Sequence, residues 1–137
     1  MFQNPDLDAI RALLQTVKTI AVVGLSPNAS RPSHRVAGAL QRRGYRIVPV
    51  RPLITEVLGE KAYARLTDIP FPVDLAQVFR APEHVDDIVT DCIAAGIARL
   101  WLQDGIINEP AALRAQAAGI TVVMNRCMAR DCSNLLT

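Results

Sequence analysis

Thr19-Ile20-Ala21-Val22-Val23-Gly24-Leu25-Ser26-Pro27-Asn28-Ala29-Ser30-Arg31-Pro32-Ser33 is the stretch on which the fold turns. Its first five residues form an apolar, β-branched run that reads as a strand and stops at a glycine. A polar loop follows, then a proline suited to the first turn of a helix. In an open α/β sheet such a junction lies at the carboxyl end of a strand. There a helix N-terminus offers free N–H groups and a partial positive charge to a phosphate. Arg31 adds a full positive charge to the same loop. The stretch predicts a phosphate-bearing ligand at this corner.

On either side, apolar runs alternate with amphipathic segments, the pattern of a parallel sheet covered by helices. Asp6 to Thr16, with Leu7, Ile10, Leu13 and Leu14 at helical spacing and Val17 just beyond, predicts a helix. Strand one is 19–23. A helix from about Pro32 to Arg43 turns Val36, Ala37 and Leu40 inward and ends at Gly44, a left-handed cap. Tyr45 to Val50 is the second strand. Leu53 to Pro72 is broken by Gly59 and by prolines, with one short helix expected near 61–66. Val73 to Phe79 is the third strand, and a helix runs from Ala81-Pro82-Glu83 to about Ala95. Ala98 to Leu102 is the fourth strand. Asn108 caps the next helix, which ends at Gly119, and Ile120 to Met124 is the fifth strand. The expected architecture is a single α/β domain, a doubly wound three-layer sandwich around a five-stranded parallel sheet in the order 3-2-1-4-5. The crevice where the sheet reverses would be lined by Gly24 to Ser33, Val50 to Pro52, Phe79 to Pro82, Gln103 to Ile106 and Asn125 to Met128.

Composition supports one core and one local site. The chain has 137 residues, half of them hydrophobic but only 4% aromatic, so the core is aliphatic. Fifteen basic against 13 acidic residues leave a net charge of +2, which argues against a general nucleic-acid binder. No run is long and apolar enough for a membrane span, and no signal-peptide pattern stands at the N-terminus. Three unevenly spaced cysteines do not make a disulfide framework, so a cytoplasmic location is expected.

The loop itself narrows the ligand. Gly24-Leu25-Ser26-Pro27-Asn28-Ala29 keeps only the first glycine of a G-x-G-x-x-G turn, and no GxxxxGK[ST] match exists. At the end of the second strand, where NAD needs a carboxylate, stands Val50-Arg51-Pro52. An arginine there favours a phosphorylated ribose, which both NADP and coenzyme A carry. The residues leave those two open.

The chain resembles the small stand-alone CoA-binding proteins, whose Rossmann-like domain is similar to the CoA-binding domain of the succinyl-CoA synthetase α subunit. The resemblance runs from about Leu7 to Cys132. Its carriers are Ile20 to Ser26, Arg31 to Val36, Gly44 to Val50, Glu56 to Glu60, Asp68-Ile69-Pro70, Val78-Phe79-Arg80, Trp101-Leu102-Gln103 and Asn125-Arg126-Cys127. It implies that Gly24, Leu25, Ser26, Arg31 and Ser33 cradle the pyrophosphate. Val50, Arg51 and Pro52 would meet the adenosine side, Phe79 and Arg80 would flank adenine and ribose, and Gln103 and Gly105 would line the pantetheine path. Two positions depart from the family pattern: Arg51, where it has Asn, and Asp104, where it has an apolar residue. The resemblance implies binding of CoA or an acyl-CoA without catalysis, with a homo-oligomer or an acyl-CoA enzyme as partner. An NADP-binding reductase or regulator in the same crevice is the alternative.

Other reactive side chains have plainer readings. His34 and His84 sit at helix starts without companions at metal-ligand spacing, and read as structural or exposed. Cys92 belongs to an amphipathic helix and reads as core. Cys127 follows the fifth strand and faces the crevice mouth, where packing is the preferred role. Cys132 is expected at the surface near the terminus. Trp101 reads as core or interface filler rather than a stacking platform.

Overall fold

Each apolar run expected as a strand pairs in parallel with its neighbours. The computed structural model describes residues 1–136. In chain order it contains α1 (Leu7–Thr16), β1 (Thr19–Val23), α2 (Pro32–Arg42), β2 (Arg46–Val50), β3 (Glu56–Val57), β4 (Glu60–Lys61), β5 (Leu75–Val78), α3 (Val85–Ala95), β6 (Arg99–Leu102), α4 (Glu109–Ala117), β7 (Thr121–Met124) and α5 (Met128–Leu135). Single 3₁₀ turns lie at Leu66–Asp68 and Pro82–His84. The main sheet runs β2-β1-β5-β6-β7, all parallel, and β3 with β4 makes a small antiparallel hairpin.

Side chains alternate along the strands and feed two cores, which makes three layers. Ile20, Val22, Leu75, Trp101 and Val123 face α1, α2 and α5. Ala21, Val23, Ala76, Val78, Leu100, Leu102 and Val122 face α3 and α4. Trp101 is fully buried, and its Nε1–H donates to Arg126 O at 2.8 Å, so it is core.

The doubly wound class holds, with a shift in strand count. The place beside β2 is held by a single parallel bridge, Val50 to Tyr63. Arg51 N–H donates to Tyr63 O at 2.8 Å and Tyr63 N–H to Pro49 O at 3.0 Å. With that bridge counted third, the order reads 3-2-1-4-5-6, the 3-2-1-4-5 pattern with one further place, and β5, read above as third, is fourth. A strand reduced to one bridge leaves no apolar run to read. The sheet still reverses beside β1, between β2 and β5, so the loops that leave those strands part there.

Two expectations fail locally. The short helix near 61–66 is instead β4 followed by the turn at 66–68. Leu58 and Gly59 both take left-handed backbone, φ 56° and 76°, which closes a tight hairpin there. The chain after β7 forms α5, and Cys132 on it is fully buried rather than at the surface. Met128, Cys132 and Leu135 share one face of that helix, too short a pattern to stand out. The free edge at β7 is blunted by Asn4. Its Nδ2–H donates to Met124 O at 2.9 Å, and its Oδ1 accepts Met124 N–H at 2.7 Å. No helix among the described residues is long and apolar enough to cross a membrane.

Candidate functional site

Gly24 fixes the geometry of the crevice. Its N–H donates to Val50 O at 2.8 Å, and Phe79 N–H donates to Val23 O at 2.9 Å, so the ends of β1, β2 and β5 are tied together. Its φ is +87°, and a Cβ there would stand 2.8 Å from Phe79 O and 3.0 Å from Arg80 Cδ. Only glycine allows the loop to lie this close to the end of β5.

The loop from Leu25 to Arg31 holds itself in place. Ser33 Oγ accepts Ser26 N–H at 3.0 Å, Ser26 Oγ accepts Asn28 N–H at 3.1 Å, and Asn28 Oδ1 accepts Ser30 N–H at 3.0 Å. Arg31 is the N-cap of α2 but provides no side-chain cap, and Pro32 follows it. Among the described residues the N–H groups of Leu25 and Ser33 have no protein acceptor. No acidic residue occupies the first turn of α2. That helix mouth is open to an anion.

Around it lies a cleft of about 650 Å³, within the size range of small-molecule sites. Of the residues named from sequence, it brings together Gly24, Ser26, Arg31, Ser33, Val50, Arg51, Pro52, Phe79 and Arg80. Its wall contains no carboxylate. Among the described residues the ion pairs are Arg11–Asp8, Arg65–Asp91, Arg114–Asp86, Arg126–Asp131 and Arg130–Asp104. Arg31, Arg51 and Arg80 take part in none of them. Three uncompensated guanidinium groups thus face one concavity, where low-dielectric walls concentrate their field.

A second lobe of about 440 Å³ shares Pro32, Phe79 and Arg80 with the first and continues the groove over β6 and the start of α5. Val36, Ala81 and Ile106 make it more apolar, and Gln103, Asp104 and Cys127 complete it. Gln103 is 4% exposed, and its Oε1 accepts from Gln77 Nε2 and from Met128 N–H, each at 2.9 Å. Asp104 forms a two-pronged ion pair with Arg130, both contacts at 2.9 Å, and those bonds hold its carboxyl below the usual range. The polarity that Asp104 brings to the rim is therefore neutralised locally.

Two residues expected in the site stand outside the cleft walls. The Leu25 side chain is fully buried in the core against α2 and α5, which leaves only its backbone for a ligand. Gly105 lines neither lobe, and its N–H donates to Asn125 Oδ1 at 2.7 Å. Sequence reasoning placed Ile106 at the end of a crevice segment but turned Val36 into the core, whereas Val36 is only half-buried and lines the second lobe. Val36 sits one helical turn after Pro32, a spacing that places both on the same side of α2.

A family model described as "CoA binding domain" matches residues 18–132. The uncharacterized protein YneT of Bacillus subtilis is 40% identical over 126 residues, covering 92% of this chain and 93% of that protein. A solved hypothetical protein from Pyrococcus horikoshii superposes with a TM-score of 0.94 at 34% identity, covering 100% of this chain and 99% of its own. The ADP-forming acetate–CoA ligase II of Archaeoglobus fulgidus is 30% identical over 82 residues, 58% of this chain but only 12% of the ligase.

Proposed function

Since the chain belongs to the CoA-binding domain family, we propose that its groove binds coenzyme A or an acyl-CoA, and that it does so without catalysis of its own. The observation that carries this reading is the cleft of Arg31, Arg51 and Arg80, unpaired and without a carboxylate, around the open mouth of α2. CoA brings a diphosphate and a ribose phosphate, the charges such a cleft attracts. The diphosphate lies on the free N–H groups of Leu25 and Ser33, the hydroxyls of Ser26 and Ser33, and Arg31, where Gly24 lets the loop come close. Arg51 meets the ribose phosphate beside Val50 and Pro52. Phe79 and Arg80 flank the adenosine. The pantetheine arm follows the shared wall into the second lobe, past Gln103.

The domain's occurrence within an acetate–CoA ligase supports an acyl-CoA enzyme as a partner in the cell. Thermal unfolding with CoA, NADP or no ligand tests the reading. A ligand at a hundred times its Kd stabilises the folded state by about 2.7 kcal/mol, so the midpoint rises with CoA. A rise with NADP and none with saturating CoA overturns it.

A further inference from the structure

The second lobe ends at a thiol. All three cysteines are free, and Cys127 is the one that is not buried. Burial pushes the Cys92 thiol up to about 12 and raises that of Cys132, whose Sγ also lies 3.7 Å from Tyr45 Oη. Neither lines the groove.

An independent feature points to what comes beside Cys127. Met128 N–H must donate to Gln103 Oε1, which fixes the orientation of that amide. Gln103 Nε2 is left with no protein acceptor among the described residues, on a side chain 4% exposed. Nε2 is not among the fully enclosed unpaired atoms, so it opens to the lobe that Gln103 lines. A donor that opens into a lobe from an otherwise buried side chain is placed to meet a carbonyl on a ligand chain. The same residue that presents this donor holds the backbone at Cys127–Met128. The lobe is thus built to hold an amide-bearing chain with its end next to the Cys127 sulfur.

We propose that Cys127 is a thiol–disulfide exchange site selective for CoA disulfide; this rests on the CoA reading given above. The Cys127 thiolate attacks one sulfur of CoA disulfide held in the groove. The sulfur–sulfur bond of the reagent breaks, a bond from Cys127 Sγ to the bound CoA sulfur forms, and the other CoA leaves as a thiolate that takes up a proton. One thiol and one disulfide are consumed and one of each is made, so no further oxidant is needed. The protein is left with CoA covalently capped on Cys127, and an external thiol reverses it. Selectivity arises because the arginine cleft holds the phosphates and raises the local concentration of the reactive sulfur.

Reduced full-length protein is incubated with CoA disulfide or with glutathione disulfide at equal concentration and followed by intact mass. Trypsin cuts after Arg126 and Arg130, which separates Cys127 from Cys132. The expected result is one CoA on the Cys127–Arg130 peptide, formed at least tenfold faster than the glutathione adduct, removed by dithiothreitol and absent from Cys127→Ser. Modification at Cys92 or Cys132, no adduct, or equal rates for the two disulfides overturns the proposal. Calorimetry of the reduced protein with CoA separates the two ideas. Binding without a selective adduct removes the exchange site alone, and absence of binding removes both.

Discussion

Gly24→Ala tests whether the first loop is pinned against the end of β5. At φ +87° an L side chain costs about 1–2 kcal/mol. The new Cβ would also stand 2.8 Å from Phe79 O, a backbone atom that cannot swing aside. Relieving such an overlap costs about 1–3 kcal/mol. The reduced freedom of the unfolded chain offsets about 0.4–1 kcal/mol. The net loss is about 2–4 kcal/mol. Gly119 is a matched control, since its φ is +89° but a Cβ there meets nothing within 4 Å. Gly119→Ala therefore incurs the backbone cost alone, about 1 kcal/mol after the same offset. Urea unfolding of both variants and the parent reads the difference, which should be about 1–3 kcal/mol in the direction of a less stable Gly24→Ala. CoA titration of the same samples should show weaker binding only for Gly24→Ala, because the shift moves Phe79 and Arg80 away from Arg31. Equal stability losses for the two variants would refute the close approach of the loop to β5.

Further outcomes follow from other contacts. If Arg51 reads the ribose phosphate, CoA binds more tightly than dephospho-CoA, and Arg51→Ala narrows the gap by about 1 kcal/mol; equal affinities for the two ligands in the parent protein remove that role. Burial would raise the Asp74 pKa, but the N–H groups of Thr19 and Lys18, at 3.0 and 2.9 Å, bring it below the ordinary value. A native pKa lower than the unfolded one gives stability that is complete above the unfolded value of about 3.9 and is lost as pH falls through the native value. Asp74→Asn should flatten that acid limb in denaturation curves taken between about pH 5 and 2, and superimposable limbs would contradict it. Asn4→Ala removes both bonds to Met124 and should cost about 1–2 kcal/mol in urea unfolding, whereas an unchanged midpoint would deny Asn4 its role at the sheet edge.

The layers of the fold were legible because buried parallel strands are nearly continuous apolar runs, and Ile20 to Val23 or Leu100 to Leu102 can hardly be anything else. The crevice was legible for the same reason, since every such run stops at polar, glycine or proline residues. The hairpin at 56–61 was hidden because its strands are two residues long and its turn places Leu58 in a left-handed conformation that sequence reserves for glycine or asparagine. The third place in the sheet was hidden because it is one bridge at Tyr63. In the site, charge and loop chemistry pointed to Arg31 and Arg51, and the family resemblance added Arg80. The freedom of those three from ion pairs is a property of where Asp86, Asp91, Asp104 and Asp131 lie in space, which spacing along the chain does not reveal. Asp104 is the clearest case. As a sequence departure it adds a charge to the ligand path, and in the structure Arg130 answers it.

The account comes to its sharpest point in calorimetric titration of CoA into the parent protein and into the Arg31→Ala, Arg51→Ala, Arg80→Ala triple variant. Each exposed or half-exposed guanidinium contributes about 1 kcal/mol to a phosphate after solvent screening, so the triple loss is about 3 kcal/mol, more than a hundredfold in Kd. One CoA bound per parent chain, with that loss in a variant that unfolds normally in urea, is the predicted result. A parent that binds no CoA, or a triple variant with the same Kd, contradicts it.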